Sequence, residues 1–253
     1  MTTRRILIAA AAIVCGLTAC GTSNPGLSAP QKSSAATTSA AATPAAGAPS
    51  ACADVGGTVD VNQICHAQIA GTGYEVTFTF PIDYPDQQAL ARYLKQRRDD
   101  FIRYAAEDRP RTHPFELDAK AMAYQSGTPT MGTKSLVFEE YSDAGGAHPV
   151  NLYRAFNYDL GKRAPITLDT LFRPGINPAE VLDPILQREN QDFWDQHHDG
   201  VAEPNVIGAK IYENFALSND AVLLFIDQGA WLPEVAGPRR VSIPRTELAS
   251  ALA

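Results

Sequence analysis

Between Tyr141 and Asp159 the chain reads YSDAGGAHPVNLYRAFNYD, which gathers a hydroxyl, a carboxylate, an imidazole and a glycine pair into one short stretch. Ser142, Asp143 and His148 are the residue types that acyl transfer uses as nucleophile, acid and base. The amides of Gly145 and Gly146 would serve as oxyanion donors. Register opposes this reading. Ser142 and Asp143 are adjacent, so on a strand they point to opposite faces, and only a loop brings both to His148. The same residues also read as a strand connection, in which the glycines allow positive φ and Pro149 biases His148 toward extended geometry. On that reading Gly145, Gly146 and His148 remain candidates for binding. Ser126 and Ser135 are further candidate nucleophiles, with less to support them. The G-x-S-x-G elbow of the α/β-hydrolases is absent from the sequence.

A second polar cluster, Asp195-Gln196-His197-His198-Asp199, offers types that bind Zn or Ni or titrate near neutrality. Adjacent histidines at a helix end diverge, however, and the block has no metal-ligand spacing. A solvated helix terminus is favoured, where histidine suits the helix dipole. No metal and no cofactor is expected.

The elements that must position these groups are legible from periodicity. Gly73–Phe80 alternates as a strand and is broken by Pro81 and Pro85. Asp86 caps a helix to about Ala106 with Leu90, Leu94, Phe101 and Ala105 as its apolar stripe. Arg92, Lys95, Arg97, Arg98, Asp99 and Asp100 read mostly as its solvated face. Phe115–Gln125, Lys134–Tyr141 and Val150–Tyr158 read as strands. Asn177-Pro178-Ala179-Glu180 starts a second helix, which Pro184 is expected to kink or restart. Tyr212–Ser218 and Ala221–Ile226 form a hairpin about Asn219-Asp220, Arg240–Ile243 is a last strand, and a short helix follows Thr246. Trp231 reads as core or rim, as does Trp194, and the block around Trp231 as a loop lining a cleft with Tyr153 and Phe156. The fold class is α+β: a mixed, largely antiparallel sheet with two main helices packed against it, in a single domain.

Address is written at the N-terminus. Residues 1–19 have a basic start and a short apolar run, too short to span a membrane, as in a signal peptide. Leu17-Thr18-Ala19-Cys20 has the form of a lipobox, with Cys20 as the lipidated residue. A diacylglyceryl group there supplies the two chains that stable anchoring needs. Residues 20–50 are rich in Ala, Ser, Thr, Pro and Gly and read as a disordered tether. The folded domain is then 51–253, exported and anchored on the extracytoplasmic face, or shed from it. The formal net charge of −7 argues against a nucleic-acid partner. Beyond the leader and the lipobox, Cys52 and Cys65 remain and read as a disulfide of an oxidising compartment. Zinc is the alternative, but only His66 lies nearby.

Four blocks carry a resemblance: FPIDYPDQQALARYL, GGAHPVNLYRAFNYDLGKRAPITLDTLF, ENFALSNDAVLLF and LPEVAGPRRVSIPRTEL. Together they resemble the secreted mycobacterial immunogenic proteins of the MPT/MPB type over about Cys52–Leu252. The C-terminal half is similar to the RsiV-type extracellular domain of lysozyme-sensing anti-sigma factors. The resemblance implies a mixed α/β domain, an exported and often antigenic protein, and an N-terminal disulfide matching Cys52 and Cys65. Some members are described as esterases, and the RsiV-type relative binds lysozyme. The expected function is therefore binding of an envelope or host component, lysozyme-like or other, with weak short-chain ester hydrolysis or a structural envelope role as alternatives.

Overall fold

The computed structural model describes residues 50–107, 112–191, 193, 195 and 208–253. The leader, Cys20, nearly all of the tether, Trp194, His197, His198 and Asp199 lie outside the described residues. A short helix, α1 (Ala51–Asp54), precedes strands β1 (Thr58–Val59), β2 (Ile64–Gly71) and β3 (Tyr74–Pro81). Helix α2 (Gln87–Ala106) leads to β4 (Phe115–Ser126), β5 (Thr133–Asp143), β6 (Val150–Asp159) and β7 (Ala164–Pro165). Helices α3 (Leu168–Leu171) and α4 (Pro178–Glu189) follow, then β8 (Phe215–Leu217), β9 (Ala221–Ile226) and β10 (Arg239–Pro244).

Strands β1 to β7 form a seven-stranded sheet in sequence order. Its neighbours are antiparallel except β3 and β4, which run parallel with α2 between them. This is the expected α+β fold on a largely antiparallel sheet. Asp86 caps α2 through a bond from the amide of Ala89, and Leu90, Leu94, Phe101 and Ala105 are its buried residues. They cover Val76, Phe78, Phe80, Leu117, Ala119, Leu136 and Phe138 on one sheet face.

Strands β8 to β10 form a separate sheet of order β10-β9-β8, which the sequence reading merges with the first. Its composition explains the separation. β8 and β9 are buried at nearly every position, so both faces need cover. One face packs Ala216 and Phe225 against Val137 and Tyr153 on the far side of the large sheet. The other packs Phe215, Leu217, Val222, Leu224 and Ile226 against Leu182, Ile185 and Leu186 of α4, with Trp231 and Leu232. The order of layers is α2, large sheet, small sheet, α4.

Local expectations differ at four places. Ile64–Gly71, to which the sequence reading gives no element, is a strand. Pro184 sits inside α4 without a restart, Tyr212 lies in a 3-10 turn rather than a strand, and Thr246 is followed by turns rather than a helix. Cys52 and Cys65 form a disulfide that joins α1 to β2, which takes both thiols from the zinc alternative. Gly57 passes so close that a Cβ there would sit 2.7 Å from the Cys65 sulfur.

The outer edge of β6 is finished by side chains. The amides of Asn151, Tyr153 and Ala155 donate to Gln228 Oε1, Asp227 Oδ1 and Asn214 Oδ1 at 3.0, 2.6 and 3.0 Å.

Candidate functional site

Strand register decides where the predicted catalytic groups go. Ser142 is buried on the α2 face of β5, in line with Phe138 and Glu140, whereas Asp143 turns to the opposite face. Asp143 Oδ1 accepts the amide of Gly145 at 3.2 Å, so that amide is already committed within the turn. Asp143 Oδ2 lies 3.7 Å from Nε2 of His113, not beside His148. His148 turns away to the loop after β9, with Nε2 2.9 Å from Glu234 Oε2 and Nδ1 3.2 Å from the carbonyl of Pro149. The structure therefore does not bring Ser142, Asp143 and His148 together. Gly145 has φ +76° and faces the Phe115 ring, where a Cβ would sit 2.7 Å from a ring carbon; a Cβ on Gly146 would meet the His148 carbonyl oxygen at an ordinary 3.7 Å. The glycine requirement belongs to Gly145 alone.

The other described histidine, His66, pairs with Asp60 at 3.2 Å. Among the described residues no histidine hydrogen-bonds a serine or threonine hydroxyl. Ser135 is occupied: its buried Oγ accepts the amide of Leu217 at 3.0 Å and pins β8 to β5. Trp231 is core, and Tyr153 and Phe156 point to opposite faces of β6, so they share no cleft with it.

Two polar centres escape sequence reasoning. The first lies beneath α2. The Glu140 carboxylate is buried, accepts from Arg97 Nε at 2.7 Å and is bonded by the Tyr93 hydroxyl. Burial, followed by the nearby Glu140 charge, pushes the Tyr93 phenol far above its ordinary range. The Arg154 guanidinium lies over the Tyr93 ring, 5.4 Å from its centroid. Arg97, read as part of the solvated face, thus turns inward. Its spacing from Leu94 and Phe101 is the signal that would have found it.

The second centre stands where the junction of the two sheets opens. Ser126 pairs with Thr133, and Thr133 with Asp159, across three neighbouring strands. Cross-strand partners share a face, so these three side chains form a polar row. Ser126 Oγ and Thr133 Oγ1 are 2.6 Å apart. Arg245, just after β10, completes the group. Thr133, Asp159 and Arg245 line two adjoining clefts of about 280 Å³ and 340 Å³. Such volumes suit a small ligand or one unit of a polymer. The wall is fixed by Gly127, whose amide donates to Asn219 at 2.8 Å and ties the β4–β5 turn to the β8–β9 turn. Gly132 must be glycine here, since a Cβ would collide with the carbonyl of Ser126 at 1.8 Å. The clefts present two cations, Arg245 and Lys162, the Asp159 carboxylate and the hydroxyls of Ser126, Thr133 and Thr170, without an imidazole among the described residues. Such a lining can orient a polar ligand through charge and hydrogen bonds.

Comparison with known proteins agrees with this architecture. Residues 169–246 match a family described as a protein of unknown function, DUF3298. The chain is 41% identical over 208 residues to Esterase Rv3036c of Mycobacterium tuberculosis, covering 78% of this chain and 87% of that one. It is 39% identical over 202 residues to Immunogenic protein MPB64 of Mycobacterium bovis, covering 80% and 88%. Immunogenic protein MPT64 of M. tuberculosis matches with the same identity and coverage. A DUF3298 family protein from Bacteroides fragilis has a similar fold, with a TM-score of 0.52 at 15% identity, covering 75% of this chain and 91% of that one.

Proposed function

The chain belongs to the mycobacterial immunogenic protein family of the MPT64 and MPB64 type, and from that premise we propose that it is an exported, lipid-anchored protein that binds an envelope or host component. The anchor is the diacylglyceryl group on Cys20, the tether spaces the domain from the membrane, and the domain presents a ligand site to the outside. One observation carries the binding reading. The clefts at the sheet junction present Arg245, Thr133 and Asp159, with no histidine among the described residues of their lining. Such a set orients a polar ligand but supplies no general base of suitable basicity for a serine.

The test uses the full chain in detergent. Isolated cell walls and lysozyme are titrated separately, and a saturable isotherm with either supports binding. No saturable association with both removes the reading. Cys20→Ala should move the protein from the membrane fraction to the soluble one; retention in the membrane would refute lipid anchoring.

A second reading, short-chain ester hydrolysis, is favoured by the 41% identity to a relative named an esterase. It predicts turnover of p-nitrophenyl butyrate that a single Ser→Ala change abolishes while the circular dichroism spectrum is kept. Ser126 and Ser142 are the first to change. Turnover that survives every such change is not the work of a serine nucleophile.

A further inference from the structure

Arg245 is held in place by oxygen atoms that carry no formal charge. Its amide donates to the carbonyl of Asp220 at 2.8 Å, its Nε to the carbonyl of Ser218 at 2.9 Å, and one terminal nitrogen to Ser126 Oγ at 3.4 Å. The other terminal nitrogen has no acceptor among the described residues, and no carboxylate there comes within ion-pair distance. A guanidinium fixed in this way keeps its charge and part of its donor fork for an outside anion. Asp159 is also incompletely used. Its Oδ1 caps the amide of Lys162 at 2.8 Å, while Oδ2 is 3.7 Å from the Lys162 ammonium, a side chain 80% exposed.

A fork that wants a carboxylate therefore stands across Thr133 from a carboxylate that wants donors. A simple anion satisfies only the first. A fatty acid would lay its methylenes along Asp159 and Lys162, which costs hydration without return. A ligand with one carboxylate and several hydroxyls satisfies both, and Thr133 can donate or accept between them. Beside Lys162 and Thr170 the wall carries the aliphatic side chains of Ile166, Leu171 and Leu217, which suit the C–H face of a saturated ring. We propose that this cleft binds the acidic sugar unit of a glycan. The sugar carboxylate lies on Arg245, ring hydroxyls donate to Asp159 and bond Thr133, and the ring face rests on Leu171 and Leu217. The proposal rests on the binding reading above and gives its site a ligand class.

The probes are methyl glucuronide, methyl glucoside and hexanoate, titrated by calorimetry into the full chain in detergent. The Arg245 Nε–H resonance is followed in parallel by NMR. The expected order places the glucuronide roughly tenfold or more ahead of both others, the difference a charged hydrogen-bond set provides. Arg245→Gln should abolish saturable binding, and Arg245→Lys should weaken it by losing the fork. Thr133→Val and Asp159→Asn, which leave the guanidinium and its tethers in place, should each weaken the glucuronide more than hexanoate. Equal affinity for glucuronide and glucoside, equal affinity for glucuronide and hexanoate, or unchanged affinity in Arg245→Gln would each overturn the assignment. Cell-wall binding that persists without any glucuronide binding would overturn it too, and would leave the broader reading standing.

Discussion

Among the described residues Glu140 is the charged side chain that the core encloses, and its removal tests how α2 is held to the sheet. The side chain is 3% exposed, and its partner Arg97 is 24% exposed. Glu140→Ala deletes the bond from Arg97 at 2.7 Å and the bond from the Tyr93 hydroxyl. Breaking a fully buried pair costs about 3–5 kcal/mol, chiefly through the charge left behind. Arg97 is partly in water and can turn outward, which lowers that figure. The Tyr93 hydroxyl is less free to do so and adds about 1–3 kcal/mol if it stays unpartnered. The net expectation is a loss of about 3–4 kcal/mol. Urea unfolding followed by circular dichroism reads this as a midpoint lower by about 1–2 M at constant slope. Glu140→Gln keeps the volume and one acceptor and should lose less. The double change Glu140→Met with Arg97→Met should recover much of the loss, because both desolvated charges leave together. A Glu140→Ala loss below about 1 kcal/mol would refute the reasoning, as would strict additivity of the two single changes.

Other outcomes follow from single contacts. Replacing Cys52 and Cys65 together by serine should cost about 3 kcal/mol in thermal or urea unfolding, and reductant should do the same to the parent protein. Gly145→Ala meets both a positive φ and the Phe115 ring, so it should cost about 1–3 kcal/mol, whereas Gly146→Ala should stay within about 0.5 kcal/mol. Burial raises the Asp227 carboxyl above its ordinary range, more than the Tyr153 amide lowers it. A raised folded value means that its contribution is fully present below the unfolded carboxylate range and is lost as pH rises through the folded value. Asp227→Asn, which retains an acceptor for the Tyr153 amide, should therefore flatten the acid side of the stability profile and stabilise the fold at neutral pH. An unchanged profile in chemical denaturation across pH would contradict this.

Local periodicity carried most of the elements, because the α2 stripe and the strand alternation each bury one face. β2 was obscured by its short alternation and its cysteine. The small sheet could not be separated in the sequence, since strands apolar on both faces give no sign of which layer they join. The same logic explains the polar centres. Glu140 lies on the inward alternation of Leu136 and Phe138, and Arg97 on the helical stripe, so both positions were readable as buried. Their pairing was not, because it joins residues far apart in sequence. The row Ser126, Thr133, Asp159 depends on hairpin register, which a turn of several residues leaves open. His148 was visible as a functional residue type, but its partner Glu234 lies on a loop that no local pattern connects to it.

The three side-chain acceptors along β6 have a consequence for life outside the cell. An exposed run of unmet amides is a template on which another chain can add a strand, and extracellular proteins work without cytosolic chaperones. Gln228, Asp227 and Asn214 occupy the positions that an incoming strand's carbonyls would take. The protein thus closes this stretch of β6 with groups of its own chain, and β6 offers no ready seam there for self-assembly at high local concentration.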